Sequence, residues 1–140
     1  MQAKFSAIFL ASTLVWSLSS AAVAGPREDQ LAQYAVAAKA ENPAFTAFSA
    51  QRGKTLHNQK FSTGKPDTPS CTSCHGTNPL AAGKNATGKV IDAVAVSATP
   101  TRYTDPAKVE KWFKRNCNDV LGRACSAVEK GDWLTYVLSL

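Results

Sequence analysis

Cys71, Cys74 and His75 place two thiols and an imidazole within five consecutive residues. The sulfurs are three positions apart, about one helical turn, so both face one edge of a flat partner. Thiols spaced this way can add to the two vinyl groups of a porphyrin. The next residue then lies under the iron as its proximal ligand, and Cys-x-x-Cys-His is the attachment signature of covalent haem c. The expected cofactor is one haem c, held by Cys71 and Cys74, with His75 on the iron. Zinc is a weaker reading. It needs four ligands, and His57, His75, Cys117 and Cys125 stand at spacings that match no common finger. A thioredoxin-like pair expects a βαβ setting, for which the chain has no pattern. A plain Cys71–Cys74 disulfide leaves the adjacent histidine unexplained.

The opposite face of the iron decides the chemistry. A methionine there marks the ordinary electron carrier. The chain has one methionine, Met1, at the head of an export signal. A Met–His iron is therefore excluded in the mature protein. His57 is the only other imidazole, and its use would give a closed bis-His carrier. Lysine coordination and an open site are the remaining choices. The residues alone leave these alternatives standing.

The elements around the motif follow an exported chain. Lys4, an apolar run from Phe5 to about Leu18 and the small-residue Ala22-Val23-Ala24 form a signal peptide over 1–24. The haem domain then spans 25–140. The apolar run is short and broken by serine and threonine, so no stable membrane insertion is expected after cleavage. The expected location is a bacterial periplasm, where haem is attached covalently and disulfides persist. Cys117 and Cys125 are available for a second staple. The net charge of +6 suits an acidic redox partner protein, such as another cytochrome. No arginine-rich block or basic–aromatic interleaving argues for nucleic acid.

Helical spacing predicts a first helix over about 27–40 and a second over about 43–58. Gly53 inside the second asks for a close neighbour. Gly64, Pro66 and Pro69 mark a loop before the motif. Residues 76–100 lack a period. The alternating stretch Val90 to Val96 is read as a loop walling the haem rather than a strand. Asp105-Pro106 caps a helix running through Val109, Trp112 and Phe113 to about Asn116, which by itself reads as a C-cap. Ser126 to Glu129 is a capping box opening a last helix with Val128, Trp133, Leu134, Val137 and Leu138 as its apolar face. Gly131 there suggests a close helix–helix crossing. The fold class is all-α, a class I cytochrome c-like chain wrapped around one covalent haem.

Three blocks carry a resemblance. They are Lys65 to Gly76; Ser97-Ala98-Thr99-Pro100 with Arg102-Tyr103-Thr104-Asp105; and Val109 through Asn118 with Gly122-Arg123, Cys125 and Glu129-Lys130. Together they resemble the sphaeroides haem protein family of monohaem cytochromes c over about residues 50–140. The resemblance implies that Asn116 is the sixth iron ligand and that Cys117 and Cys125 form a disulfide. It implies that the asparagine binds ferric iron and leaves on reduction, opening the iron to oxygen, nitric oxide or carbon monoxide. The family tends to carry prolines where this chain has Ile91 to Val96. Trp112 is read as haem-wall packing, and Arg102, with Lys65, as a propionate partner.

The functional expectation is one-electron transfer coupled to ligand binding at a redox-opened iron. Its rivals are a gas-binding or oxygen- or peroxide-reducing haem protein and the bis-His carrier. No acid–base pair in the sequence marks a dedicated enzyme.

Overall fold

The computed structural model describes residues 24–140. The export signal expected over 1–24 therefore lies, but for Ala24, outside the described residues. These residues form five helices and one minimal hairpin, in the order α1 (Pro26–Glu41), α2 (Ala50–Asn58), α3 (Thr72–His75), β1 (Gly83–Lys84), β2 (Val90–Ile91), α4 (Pro106–Leu121) and α5 (Ala127–Leu138). The strands pair antiparallel, Gly83 with Ile91 and Lys84 with Val90. This is the all-α, class I cytochrome c-like architecture. None of these helices is long and apolar enough to cross a membrane.

Local chemistry explains the helix starts. Ser49 Oγ accepts from the Arg52 amide at 3.2 Å and opens α2. Asp105 Oδ1 accepts from the Lys108 amide at 3.1 Å, and Pro106 supplies the first helical φ of α4. Ser126 and Glu129 close their capping box with bonds of 3.2 and 2.8 Å.

The core is built on α5. Leu134 and Val137 are fully buried and pack with Tyr34, Val94 and Tyr136, while Phe113 and Trp133 close the edge. Phe113 meets Tyr34 and Trp133 edge-on at centroid distances of 6.2 and 5.6 Å. Helix α4 reaches this core through Phe113, and separately buries Val109, Cys117, Val120 and Leu121.

Three local expectations change and one, at Gly53, holds. The second helix starts at Ala50, not Pro43, because Ser49 caps it and residues 42–49 run outside a helix. Gly53 does meet a close neighbour, the α5 backbone: an added carbon would lie 2.1 Å from the Asp132 carbonyl oxygen. Gly131 instead makes room for the Phe48 ring, not for another helix. The 90–96 stretch begins as strand β2, and its Ala93, Val94 and Ala95 bury themselves in the protein. Val96 also donates its amide to the Val137 carbonyl at 3.2 Å. This segment is core packing against α5.

Candidate haem site

The motif occupies α3, one turn in which His75 and Gly76 donate their amides to the Cys71 and Thr72 carbonyls at 3.0 Å. Cys71 and Cys74 are unpaired. Burial pushes the Cys71 thiol up to about 11, and burial also raises Cys74. Such thiols stay protonated at neutral pH, unlike the activated cysteines of redox enzymes. Burial lowers His75 to about 4, helped by neighbouring His57 and Arg102. A neutral imidazole is the form that binds a metal. Its Nδ1 is buried with no hydrogen-bond partner among the described residues. No cluster of three or more histidine, cysteine or acidic side chains among the described residues offers a zinc site.

His57 differs from the surface or propionate-side residue that its helix-end position suggests. It is fully buried. Its Nε2 lies 2.9 Å from the Gly76 carbonyl oxygen, and Trp133 Nε1 donates to its Nδ1 at 3.3 Å. Both ring nitrogens are engaged. Burial holds its pKa below the ordinary histidine value, with the Gly76 contact opposing.

Asn116 lies five residues before the end of α4, not at its cap, because the helix continues to Leu121 and ends at Gly122, whose φ is +70°. Its carboxamide is exposed and makes no hydrogen bond among the described residues. Asn118 two residues on, by contrast, donates to the Lys114 carbonyl at 2.6 Å. Trp112 lies one turn before Asn116 on the same side of α4; it is 43% exposed, with the Arg115 guanidinium 5.6 Å from its ring centre. Cys117 is buried and bonded to Cys125.

Arg102 sits in the turn before α4. One end-nitrogen donates to the Asp92 carbonyl at 2.6 Å, and its Nε is buried without a partner. Arg27 of α1 holds that turn by donating to the Arg102 and Pro100 carbonyls. Lys65 Nζ pairs with Asp119 at 2.7 Å.

These groups fit a haem. Two free thiols and a neutral imidazole share one helical turn, and an arginine keeps a buried donor unused. Sequence reading did not anticipate the engagement of His57 or the role of Asp119. The Gly53/His57 pair, four apart on one helix face, was the available signal for the first.

Residues 43–137 match the model of a family described as a domain of unknown function, DUF1924. The chain is 53% identical over 88 residues to the cytochrome c-type protein SHP of Cereibacter sphaeroides, covering 63% of this chain and 68% of that protein. The structure of oxidized SHP, described as an oxygen-binding cytochrome c, superposes with a TM-score of 0.75 at 45% identity, over 81% of this chain and 96% of the other. The solution structure of cytochrome c'' from Methylophilus methylotrophus, described in terms of haem-ligand detachment, gives 0.71 at 38% identity, over 81% and 93%.

Proposed function

We propose that this chain, which belongs to the DUF1924 family, is an exported cytochrome c carrying one covalent haem c, which transfers single electrons and opens its reduced iron to small ligands. The haem iron supplies the one-electron couple and a coordination position for a diatomic molecule. Cys71 and Cys74 hold the ring, and His75 provides the proximal nitrogen. Arg102, with its free Nε, would hold a propionate, and the exposed Trp112, one turn from Asn116, would pack against the haem.

One observation carries the choice of sixth ligand. His57 has both nitrogens hydrogen-bonded, to Gly76 and Trp133, so the only rival imidazole is occupied. Met1 belongs to the expected export signal. The resemblance to the sphaeroides haem protein family points to Asn116 over a lysine or an open site, and its carboxamide is exposed and without a hydrogen bond among the described residues, on the helix that the disulfide anchors. An amide oxygen is a hard, neutral and weak donor, and hard donors favour the more highly charged ion. Asn116 thus favours the ferric state and releases on reduction. Oxygen binding in SHP and haem-ligand detachment in cytochrome c'' support this reading. A basic surface, with net charge +6 over the whole chain, favours an acidic redox partner such as another cytochrome. Export to a periplasm accords with the covalent haem and the disulfide.

The test compares ferric and ferrous absorption spectra, with and without nitric oxide, for the native holoprotein and Asn116→Ala. The expected result is an altered ferric spectrum in the variant and a ferrous native form that binds nitric oxide. Identical ferric spectra remove Asn116 from the iron.

A further inference from the structure

We propose that His57 is a positioning residue for the iron site: its Nε2–H holds the carbonyl of Gly76, the residue after His75, and so sets how the proximal imidazole meets the haem. The inference rests on the haem reading above and adds a residue outside the attachment motif.

Hydrogen-bond direction fixes the tautomer. Trp133 Nε1 can only donate, so His57 Nδ1 must accept. The ring proton is then on Nε2, where the Gly76 carbonyl oxygen accepts it at 2.9 Å. A neutral imidazole with one donor and one acceptor matches its two partners completely. Phenylalanine keeps a planar ring, somewhat larger, and satisfies neither partner.

The acceptor gives this bond its consequence. Gly76 follows His75 directly and has a φ of +68°, a conformation that side chains rarely adopt. An added carbon there would meet nothing within 4 Å. Two hydrogen bonds hold the residue: its amide donates to the Thr72 carbonyl at 3.0 Å, and its own carbonyl accepts from His57. On the other flank, strand β1 presses on the motif: a carbon on Gly83 would lie 2.0 Å from the Cys74 carbonyl oxygen and 3.0 Å from His75 Cα. The His75 backbone is therefore gripped between β1 and α2. His57 also has a firm base, because one turn earlier Gly53 packs directly on the α5 backbone that carries Trp133. The crossing of α2 and α5 is thus linked through one imidazole to the residue after the proximal ligand. Groups that orient a ligating histidine tune the metal it holds.

The experiment uses the mature holoprotein with His57→Phe and His57→Gln. Each is first checked for covalent haem by a denaturing haem stain. Two quantities are then read: the iron–histidine stretching band of the ferrous form by resonance Raman, and the midpoint potential. His57→Phe is expected to shift both and to change ferrous carbon monoxide affinity several-fold. His57→Gln, which keeps an N–H donor, is expected to return them toward native values. A Phe variant that carries haem with an unmoved band and potential overturns the proposal, whatever its thermal stability. So does a Gln variant as displaced as Phe. If His57→Phe does not accumulate, nitrogen NMR of the native ferrous carbon monoxide complex decides instead. A proton on Nε2 supports the assignment, and a proton on Nδ1 overturns it. Absence of covalent haem in the native protein sinks the functional reading itself, a separate outcome.

Discussion

Gly122 lies against Thr63 so closely that a side-chain carbon on the glycine would sit 2.1 Å from the threonine carbonyl oxygen. Around this contact the Lys65 amide donates to Asp119 O, and Thr63 Oγ1 to Leu121 O, each at 2.7 Å. The end of α4, about one turn past Asn116 and Cys117, is thereby fastened to the segment that leads into Cys71. Gly122 also ends the helix at a positive φ. Gly122→Ala is expected to cost more than about 1 kcal/mol, from left-handed strain and the collision together. Denaturant unfolding of the holoprotein checks this, and a loss near zero would contradict the fastening.

Asn116→Ala separates site from scaffold. The residue is exposed and bonds to nothing in the described protein, so stability of the haem-free chain should change by no more than about 0.5 kcal/mol. The ferric spectrum should change outright. A large loss of apoprotein stability with an unchanged spectrum would make Asn116 structural.

The Cys117–Cys125 bond closes a short loop, at a sequence separation of 8. Replacing both with serine is expected to lower stability by about 2.6 kcal/mol in the loop-entropy model. Because Cys117 adjoins Asn116, the ferric form of the double variant should also show weakened sixth-ligand coordination. Unchanged ferric spectra and ligand affinity would reduce the bridge to a staple.

Glu129 predicts a component of acid sensitivity. The Arg123 guanidinium grips its carboxylate with bonds of 2.7 and 2.8 Å and holds its pKa below the ordinary value, with the Ser126 amide assisting. Between the folded and unfolded values the unfolded chain binds more protons, so stability rises with pH there. The contribution is present above the unfolded value and is lost as pH falls through the folded one. Glu129→Gln should cost about 1 kcal/mol at neutral pH, discounted because Arg123 is half exposed. The native and variant stabilities should converge in acid, and parallel pH curves would refute the assignment.

Removing one thiol at a time tests attachment. Cys71→Ala and Cys74→Ala are each expected to leave haem on a single thioether or lose it, read by the pyridine haemochrome band and the haem stain. A native-like band in both variants would exclude thioether links at these positions.

Much of this protein was legible along the chain because its signals are local. The Cys71–His75 spacing, the Asp105-Pro106 start and the Ser126–Glu129 box each act within one turn, so sequence distance stands in for spatial distance. The close neighbour at Gly53 was predictable for the same reason, as a cost that only packing offsets. Boundaries were less legible. The α2 start depended on Ser49, whose amide bonds to Asp132 from 83 residues away. The end of α4 depended on Gly122 docking against Thr63, so Asn116 moved from an expected cap to the middle of a helix.

By itself the sequence supplied the groups that covalent haem attachment needs: two thiols and an imidazole on one turn, and no methionine beyond the first residue. Only the tertiary structure decided what His57 does. Its helix-end position suggests a surface or propionate-side residue, with iron ligation as the rival. The choice came from Gly76 and Trp133, 19 and 76 residues away. A hydrogen bond acts over a few ångströms of space, and only the folded crossing of α2 and α5 brings those groups within that reach.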